Sequence, residues 1–372
     1  MTKRILVTGG AGFVGSHLVD ALLHAGHAVR VFDNLTPQVH NNVRPEYLAT
    51  DIEFVRGDMR DIDAVQEAVR DVDVVYHMAA AVGVGQSMYE IASYMASNTQ
   101  GTANLLQAIL DQKCRIEKLI VASSMSIYGE GKYWCNSCGE VAPKPRANAQ
   151  LKAKQWEVKC AYCDRDLKPI PTDETKPLQC TSIYALSKKD QEEMCLLFGR
   201  TYDLPVVALR FFNIYGTRQA LSNPYTGVAA IFASRLLNEN APMVFEDGRQ
   251  MRDFVSVHDI VEANLLAMNP TRGDGMALNI GSGDPISISQ VAQTLTTELG
   301  KTMPTDVTGK YRAGDIRHCF ADITCARRVL GYQPKYKFVD GVRELVEWLR
   351  SQRAVDRAQE ATAQLTAYGL TA

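Results

Sequence analysis

The chain has 372 residues, 46% hydrophobic and 22% charged, the balance of a globular protein with ample core. Forty basic residues against forty-two acidic leave a formal charge of −2, which supplies no electrostatic footprint for nucleic acid. No apolar run approaches ~18 residues, so neither a membrane span nor a signal peptide is expected, and a cytoplasmic enzyme is the default reading.

Residues 3–8 predict a buried strand that runs into a glycine turn. A helix follows from Val14 to Ala25, with Val14, Leu18, Ala21 and Leu22 on one face and a stop near Gly26. Residues 28–33 form the next strand, and apolar runs at 52–55, 72–77, 119–124 and 206–211 continue the series with helical stretches between. This rhythm predicts an α/β fold, a Rossmann-type doubly wound parallel sheet that holds ligands at the carboxyl ends of its strands. Beyond about residue 352 the tail, rich in Ala, Gln and Thr, suits a loosely attached helix or an unstructured end.

Gly9, Gly12 and Gly15 stand between the first strand and the first helix. Gly9 permits the tight turn, Gly12 lets the backbone approach a pyrophosphate, and Gly15 allows helix and strand to pack. The phosphate then rests on the helix N-terminus beside Phe13 and Val14. Asp33 closes the second strand, where its carboxylate can accept both ribose hydroxyls and repel a 2′-phosphate. Nothing basic follows in Asn34-Leu35-Thr36, so NAD is expected over NADP. Asp58 and Met59, just after the third strand, are placed to meet the adenine.

Nine cysteines, an odd number without a secretion signal, argue against a disulfide framework. Cys135-x-x-Cys138 and Cys160-x-x-Cys163, twenty-one residues apart, fit a zinc-ribbon-like insertion. Four thiolates leave no open position for water, so a structural Zn²⁺ is expected, with disulfides or a redox switch as the competing reading. Trp134 and Trp156 are the expected mini-core. Lys and Arg of the insertion could line the lip of an active site or simply face solvent. The other five cysteines suit small buried apolar positions.

Tyr184-x-x-x-Lys188 puts a phenol and an ammonium one helical turn apart. Such a pair is weak alone; its order after the glycine turn, the acidic strand end and Ser124 gives it weight. Lowering a tyrosine pKa by about three units requires roughly 4 kcal/mol, which Lys188 and a positive nicotinamide ring can supply. Ser124 would hydrogen-bond the same substrate oxygen.

In this combination the chain resembles the extended short-chain dehydrogenase/reductases of the NAD-dependent epimerase/dehydratase family, over about residues 3–350 apart from the cysteine insertion. His77-Met78-Ala79-Ala80, Asn98-Thr99-Gln100-Gly101-Thr102, the segments 210–216 and 252–259, and Asn279-Ile280-Gly281-Ser282-Gly283 extend the likeness. The resemblance implies a NAD-binding Rossmann domain at 1–130 and 176–213. A Cys₄ insertion at 131–175, a smaller C-terminal substrate domain at 214–350 with segments returning to the sheet, and a tail at 351–372 complete the plan. It places Ala79 and Asn98 at the cofactor, and Asn213, Arg252 and Arg312 at a sugar nucleotide with the arginines on its phosphates. Asp315 falls near the nucleoside ribose. Gly83 to Met88 would line the sugar pocket, a flexible surface loop being the alternative.

Sugar-nucleotide dehydratases resemble one another in an Asp-Glu pair after the catalytic Ser/Thr, and decarboxylases in a Glu at the second place. Met125 and Ser126 stand here and cannot do that proton chemistry. Oxidation at C4 and return of hydride remain, which is 4-epimerisation. The segments 123–129 and 222–228, with the cysteine loop, resemble a dTDP-L-rhamnose 4-epimerase subgroup and imply a dTDP-sugar. A UDP-glucose or UDP-glucuronate 4-epimerase, a sugar-nucleotide dehydratase, a net reductase or dehydrogenase, and a non-catalytic NAD(H)-sensing scaffold stay open. The family also implies a homodimer through the helices after Asn98 and Tyr184. Leu105, Leu106, Ile109, Met194, Leu196 and Leu197 permit that contact and equally suit core packing.

Overall fold

A computed structural model of the chain describes residues 2–269, 273–312 and 314–371. Strands apolar on both faces must be covered on both faces, and such strands make up the middle of its seven-stranded central sheet, with the half-buried Glu53–Arg56 at one edge. From edge to edge the seven are Met276–Ile280, Val206–Phe211, Lys118–Ser124, Val74–His77, Arg4–Thr8, Ala28–Asp33 and Glu53–Arg56. All neighbouring pairs are parallel. Alternate residues feed two cores: Ile5 and Val7 join Val31, Tyr76 and Leu209 on one face, while Leu6 joins Val75, Leu105 and Val121 on the other. Chain order reverses between Arg4–Thr8 and Val74–His77, which opens the crevice where such sheets bind ligands. The sequence reading missed Met276–Ile280, the edge strand.

A second body rests on Asn213–Tyr215, Met251–Ser256, Pro285–Ser287 and His318–Cys319, with Phe232, Phe254, Val291 and Phe338 in its core. The cysteine insertion is a three-stranded antiparallel sheet, Lys132–Cys135 lying between Gly139–Val141 and Lys168–Ile170. Its core is not built on the two tryptophans. Tyr133, Val141, Val158 and Leu167 fill it together with Cys135 and Cys160. Period-two alternation sends Tyr133 and Cys135 inward and leaves Trp134 46% exposed, while Trp156 packs outward against Tyr311.

The tail also departs from expectation. Ala358–Ala367 is a docked helix whose Ala358, Ala361 and Leu365 are buried. Tyr368 stacks on Tyr89 with ring centroids 4.7 Å apart, and the main chain of Thr371 bridges that of Arg312. Of the apolar residues considered for a dimer contact, Leu105, Leu106 and Ile109 belong to the sheet core with Met194 and Leu196 against it, and Leu197 is exposed. Among the described residues no helix is long and apolar enough to cross a membrane.

Candidate functional site

Backbone crowding at the crevice explains the glycines. Gly9 has φ +68°, and a Cβ there would lie 2.8 Å from the main chain of Ala79. A Cβ on Gly15 would lie 2.2 Å from the carbonyl oxygen of Gly9. The helix Phe13–His24 begins at Gly12 without a side-chain cap, which leaves its first N–H groups to a ligand. Asp33 is fixed by amides, Oδ2 accepting from Ala11 N at 3.0 Å and Oδ1 from Leu35 N at 2.9 Å. A carboxylate has about four acceptor positions, so both oxygens retain capacity for a diol. Asp58 is held well below the usual carboxylate range, first by Arg60 and then by Asn34. Arg60 is a cation at this end that the sequence reading overlooked, and it is tied to Asp58 at 2.8 Å.

One cavity of ≈ 780 Å³ is lined by Gly9, Gly12, Phe13, Val14, Gly15 and Asp33 at one end, and onward by Asn34, Asp58, Met59 and Ala79. Gly83, Ser124, Tyr184, Lys188, Asn213, Arg252, Arg312 and Asp315 continue the same wall. Of the expected nucleotide and sugar residues, Asn98 and, within the segment 83–88, Ser87 are not among the lining; Asn98 is the one placed at the cofactor. It sits in a π-helical stretch, Met95–Gln100, and its side chain is spent on Ala81 N at 2.7 Å, Ala81 O at 3.1 Å and Ser187 Oγ at 2.9 Å. It staples the loop after Val74–His77 to the helix that carries Tyr184.

Ser182 caps that helix, Ile183–Tyr202, and Tyr184 is further fixed by its amide, which donates to Ser87 Oγ at 3.0 Å. Ser126 donates to Ser124 Oγ from its amide at 3.2 Å and from its hydroxyl at 2.9 Å. The Ser124 proton is thereby left for the phenol. Burial pushes the Tyr184 phenol up, and the Ser124 hydrogen bond pulls it back. Burial likewise lowers Lys188 to about 8. Its ammonium donates to Gln191 Oε1 at 2.7 Å, and Gln191 reaches Thr102 Oγ1 at 2.9 Å and His77 Nε2 at 3.1 Å. Sequence reasoning did not find Gln191 or His77 as supports, although His77 stands in a quoted motif.

The far end of the cavity is less complete. Asn213 Oδ1 is buried with no hydrogen-bond partner. Arg252 donates to the carbonyl oxygens of Met251, Arg317 and Ile316 at 2.9, 2.9 and 2.6 Å. With five N–H donors in a guanidinium, two remain for a ligand. Arg312 pairs with Asp315 at 2.8 Å and lies over the Phe245 ring at 4.7 Å, leaving an aromatic and a cation side by side. The tail closes this end with Ala358, Ala361, Thr362, Leu365 and Leu370. Gln364 accepts from the hydroxyls of Tyr89 and Tyr225 at 3.1 and 2.8 Å.

The four cysteine sulfurs of the insertion lie within 4.8 Å of one another, with Cys135 and Cys163 at 3.5 Å. A tetrahedral zinc with ~2.3 Å bonds needs sulfurs about 3.8 Å apart, so the cluster fits that ion. Amide N–H groups, Ser137's first, draw the Cys135 thiol down to about 7, toward the thiolate a metal requires. All nine cysteines are free thiols. No residue between 127 and 180 lines the cavity, so the insertion's cations do not form its lip.

Residues 5–150 match the NAD dependent epimerase/dehydratase family, and residues 166–345 match GDP-mannose 4,6 dehydratase. The dTDP-L-rhamnose 4-epimerase of Burkholderia thailandensis is 35% identical over 356 residues, covering 94% of this chain and 96% of that one. Among solved structures, the UDP-glucose 4-epimerase of Thermotoga maritima with UDP-glucose has a TM-score of 0.76 at 31% identity, over 93% of this chain and 98% of its own. The Thermus thermophilus UDP-glucose 4-epimerase in complex with NAD gives 0.74 at 30% identity, over 94% and 99%.

Proposed function

The chain belongs to the NAD dependent epimerase/dehydratase family, and from that premise we propose that it converts dTDP-L-rhamnose to dTDP-6-deoxy-L-talose through a transient 4-keto sugar. At the coarser level it is an NAD-dependent sugar-nucleotide 4-epimerase. NAD, when bound, supplies a hydride acceptor that also returns the hydride, so no net redox change results.

The observation that carries the reading is the serine–tyrosine–lysine set on one wall of a cleft whose far end holds Asn213 and Arg252 with unused polar capacity. Tyr184 is the base that takes the proton from O4 and later restores it. Ser124, oriented by Ser126, shares that oxygen. Lys188 contributes a positive charge that favours the phenolate. Arg252 and Arg312 hold the diphosphate while the sugar turns over, and Asn213 and Asp315 orient it. The likeness to a dehydratase along 166–345 does not extend to that chemistry, because Met125 and Ser126 offer no carboxylate. The tail residues facing the cavity carry no charge, and Ala361, Leu365 and Leu370 present carbon to it. Such a wall suits a C6 methyl better than a carboxylate. The cysteine cluster is read as a structural zinc site and the assembly as a homodimer.

Incubation with a panel of dTDP- and UDP-sugars, followed by NMR of the C4 configuration, tests the assignment. We expect inversion of dTDP-L-rhamnose. Inversion of UDP-glucose or UDP-glucuronate alone would shift the reading to the UDP-sugar epimerases, and C4 inversion of none would end it.

A further inference from the structure

We propose that the cysteine insertion braces the diphosphate side of the cleft, with Glu157 as the positioning residue. The proposal rests on the nucleotide-sugar reading of the cleft. No residue of the insertion lines the cavity. Its stem is tied to Asn279, Phe320 and Asp322 through Thr172 and Glu174, while the contacts of Arg146 and Glu157 gather on residues 315–318 and Glu246. Glu157 Oε1 accepts from Arg317 at 2.6 and 3.2 Å, and its Oε2 lies 3.1 Å from His318 Nε2. Arg146 forks onto Glu246 at 2.8 and 3.0 Å and donates to the Asp315 carbonyl at 3.1 Å. Glu130, at the stem of the insertion, accepts the amides of Arg317 at 2.7 Å and His318 at 3.2 Å.

Arg317 is wholly buried and meets three carboxylates, Glu157, Glu246 and Asp247. Only Glu157 comes from the insertion. The other two precede Arg252 on the chain, so Arg317 locks the insertion to the wall that carries the phosphate-facing arginine. The outcome is visible at Arg252 itself. Its guanidinium is aimed by the carbonyls of Ile316 and Arg317, which are the segment that Glu157, Arg146 and Glu130 hold. A shift of that segment would turn the fork that a diphosphate must meet bidentately.

The cysteine knuckle in turn fixes where Glu157 stands. Val158, its neighbour, is buried in the insertion's core and accepts from Leu167 N at 2.9 Å, and Cys160 N donates to Arg165 O at 2.8 Å. A thiolate-bound ion would hold that corner without entering the reaction. The same face offers nothing to the cofactor end, so the brace acts on one ligand only.

The test uses the full chain and the variant Glu157→Gln, which keeps the size of a 42%-exposed side chain and removes its charge. dTDP is the titrant, with UDP as the second probe, in calorimetry of the protein as purified. We expect dTDP to bind ~10-fold or more weakly and KM for the sugar nucleotide to rise with little change in kcat, a loss of the order that mutating outer-shell partners causes in metal sites. Bound nicotinamide and zinc per chain, by mass spectrometry, should match the unaltered protein. Arg146→Lys, which keeps the charge and loses the fork, should give a smaller loss in the same direction. Unaltered dTDP affinity in Glu157→Gln, or a loss of nicotinamide in step with it, would overturn the proposal. Unaltered protein that binds neither dTDP nor UDP would instead remove the cleft reading on which it stands.

Discussion

The two ends of the cleft differ in how far each satisfies its own polar groups. At the cofactor end, Asp33 is braced by two amides and Asp58 by Arg60 and Asn34, and glycines admit close backbone approach. At the substrate end, Asn213 Oδ1 has no partner, Arg252 leans on carbonyls, and the wall is a tail helix held by a tyrosine stack and Gln364. Buried polar atoms without partners are costly, and a ligand that completes them gains what the free protein lacks. On the proposed reading, the first end suits a retained ligand and the second an exchanged one.

The sharpest break falls between them. Tyr184→Phe should lower kcat by ~100-fold or more while leaving dTDP binding and bound nicotinamide intact, the proposed task of the phenol being proton transfer. Near-native turnover would remove that role. A second comparison targets the exchange end alone. Leu365 packs against Gly85, within 3.0 Å of where a Cβ would stand, and is buried. Leu365→Asp places an unpaired charge there, and we expect KM for the sugar nucleotide to rise ~10-fold with nicotinamide content unchanged. A matching loss of nicotinamide would show that the two ends are not separable.

The smallest expected effect is on pH. Burial lowers Lys188 to about 8, so its positive charge is present below that pH and lost as pH rises through it. Turnover should hold at neutral pH and decline above about 8, because the phenol loses the neighbouring charge that favours its ionised form. A rate that keeps climbing to pH 10 would count against Lys188 as the charge that favours the phenolate.

The cofactor end was legible because its residues are contiguous: a turn, a helix start and two strand ends, each with its backbone duty written in glycine or aspartate. The tyrosine and lysine that share the cavity wall were legible less by their spacing than by their order after the glycine turn, Asp33 and Ser124. The staple that Asn98 makes was not legible, because its partners, Ala81 and Ser187, lie far apart along the chain and no local pattern announces it. The tail was misjudged for a related reason. Its composition is weakly amphipathic, and what docks it is Gly85, Tyr89 and Tyr225, distant in sequence. Trp134 went outward because strand register outranked size, and Met276–Ile280 was missed as a short edge strand with a mixed pattern.

The pairing of Lys132 with Ile170 places the entry and exit of the cysteine excursion on a single rung of a ladder. A peptide that leaves and rejoins its host at one rung can be shortened with little rerouting of the surrounding chain. Arg317 sets a limit on that freedom. Excising the module would strand part of the neutralisation of a wholly buried guanidinium, which leaves Arg317 with Glu246 and Asp247 alone.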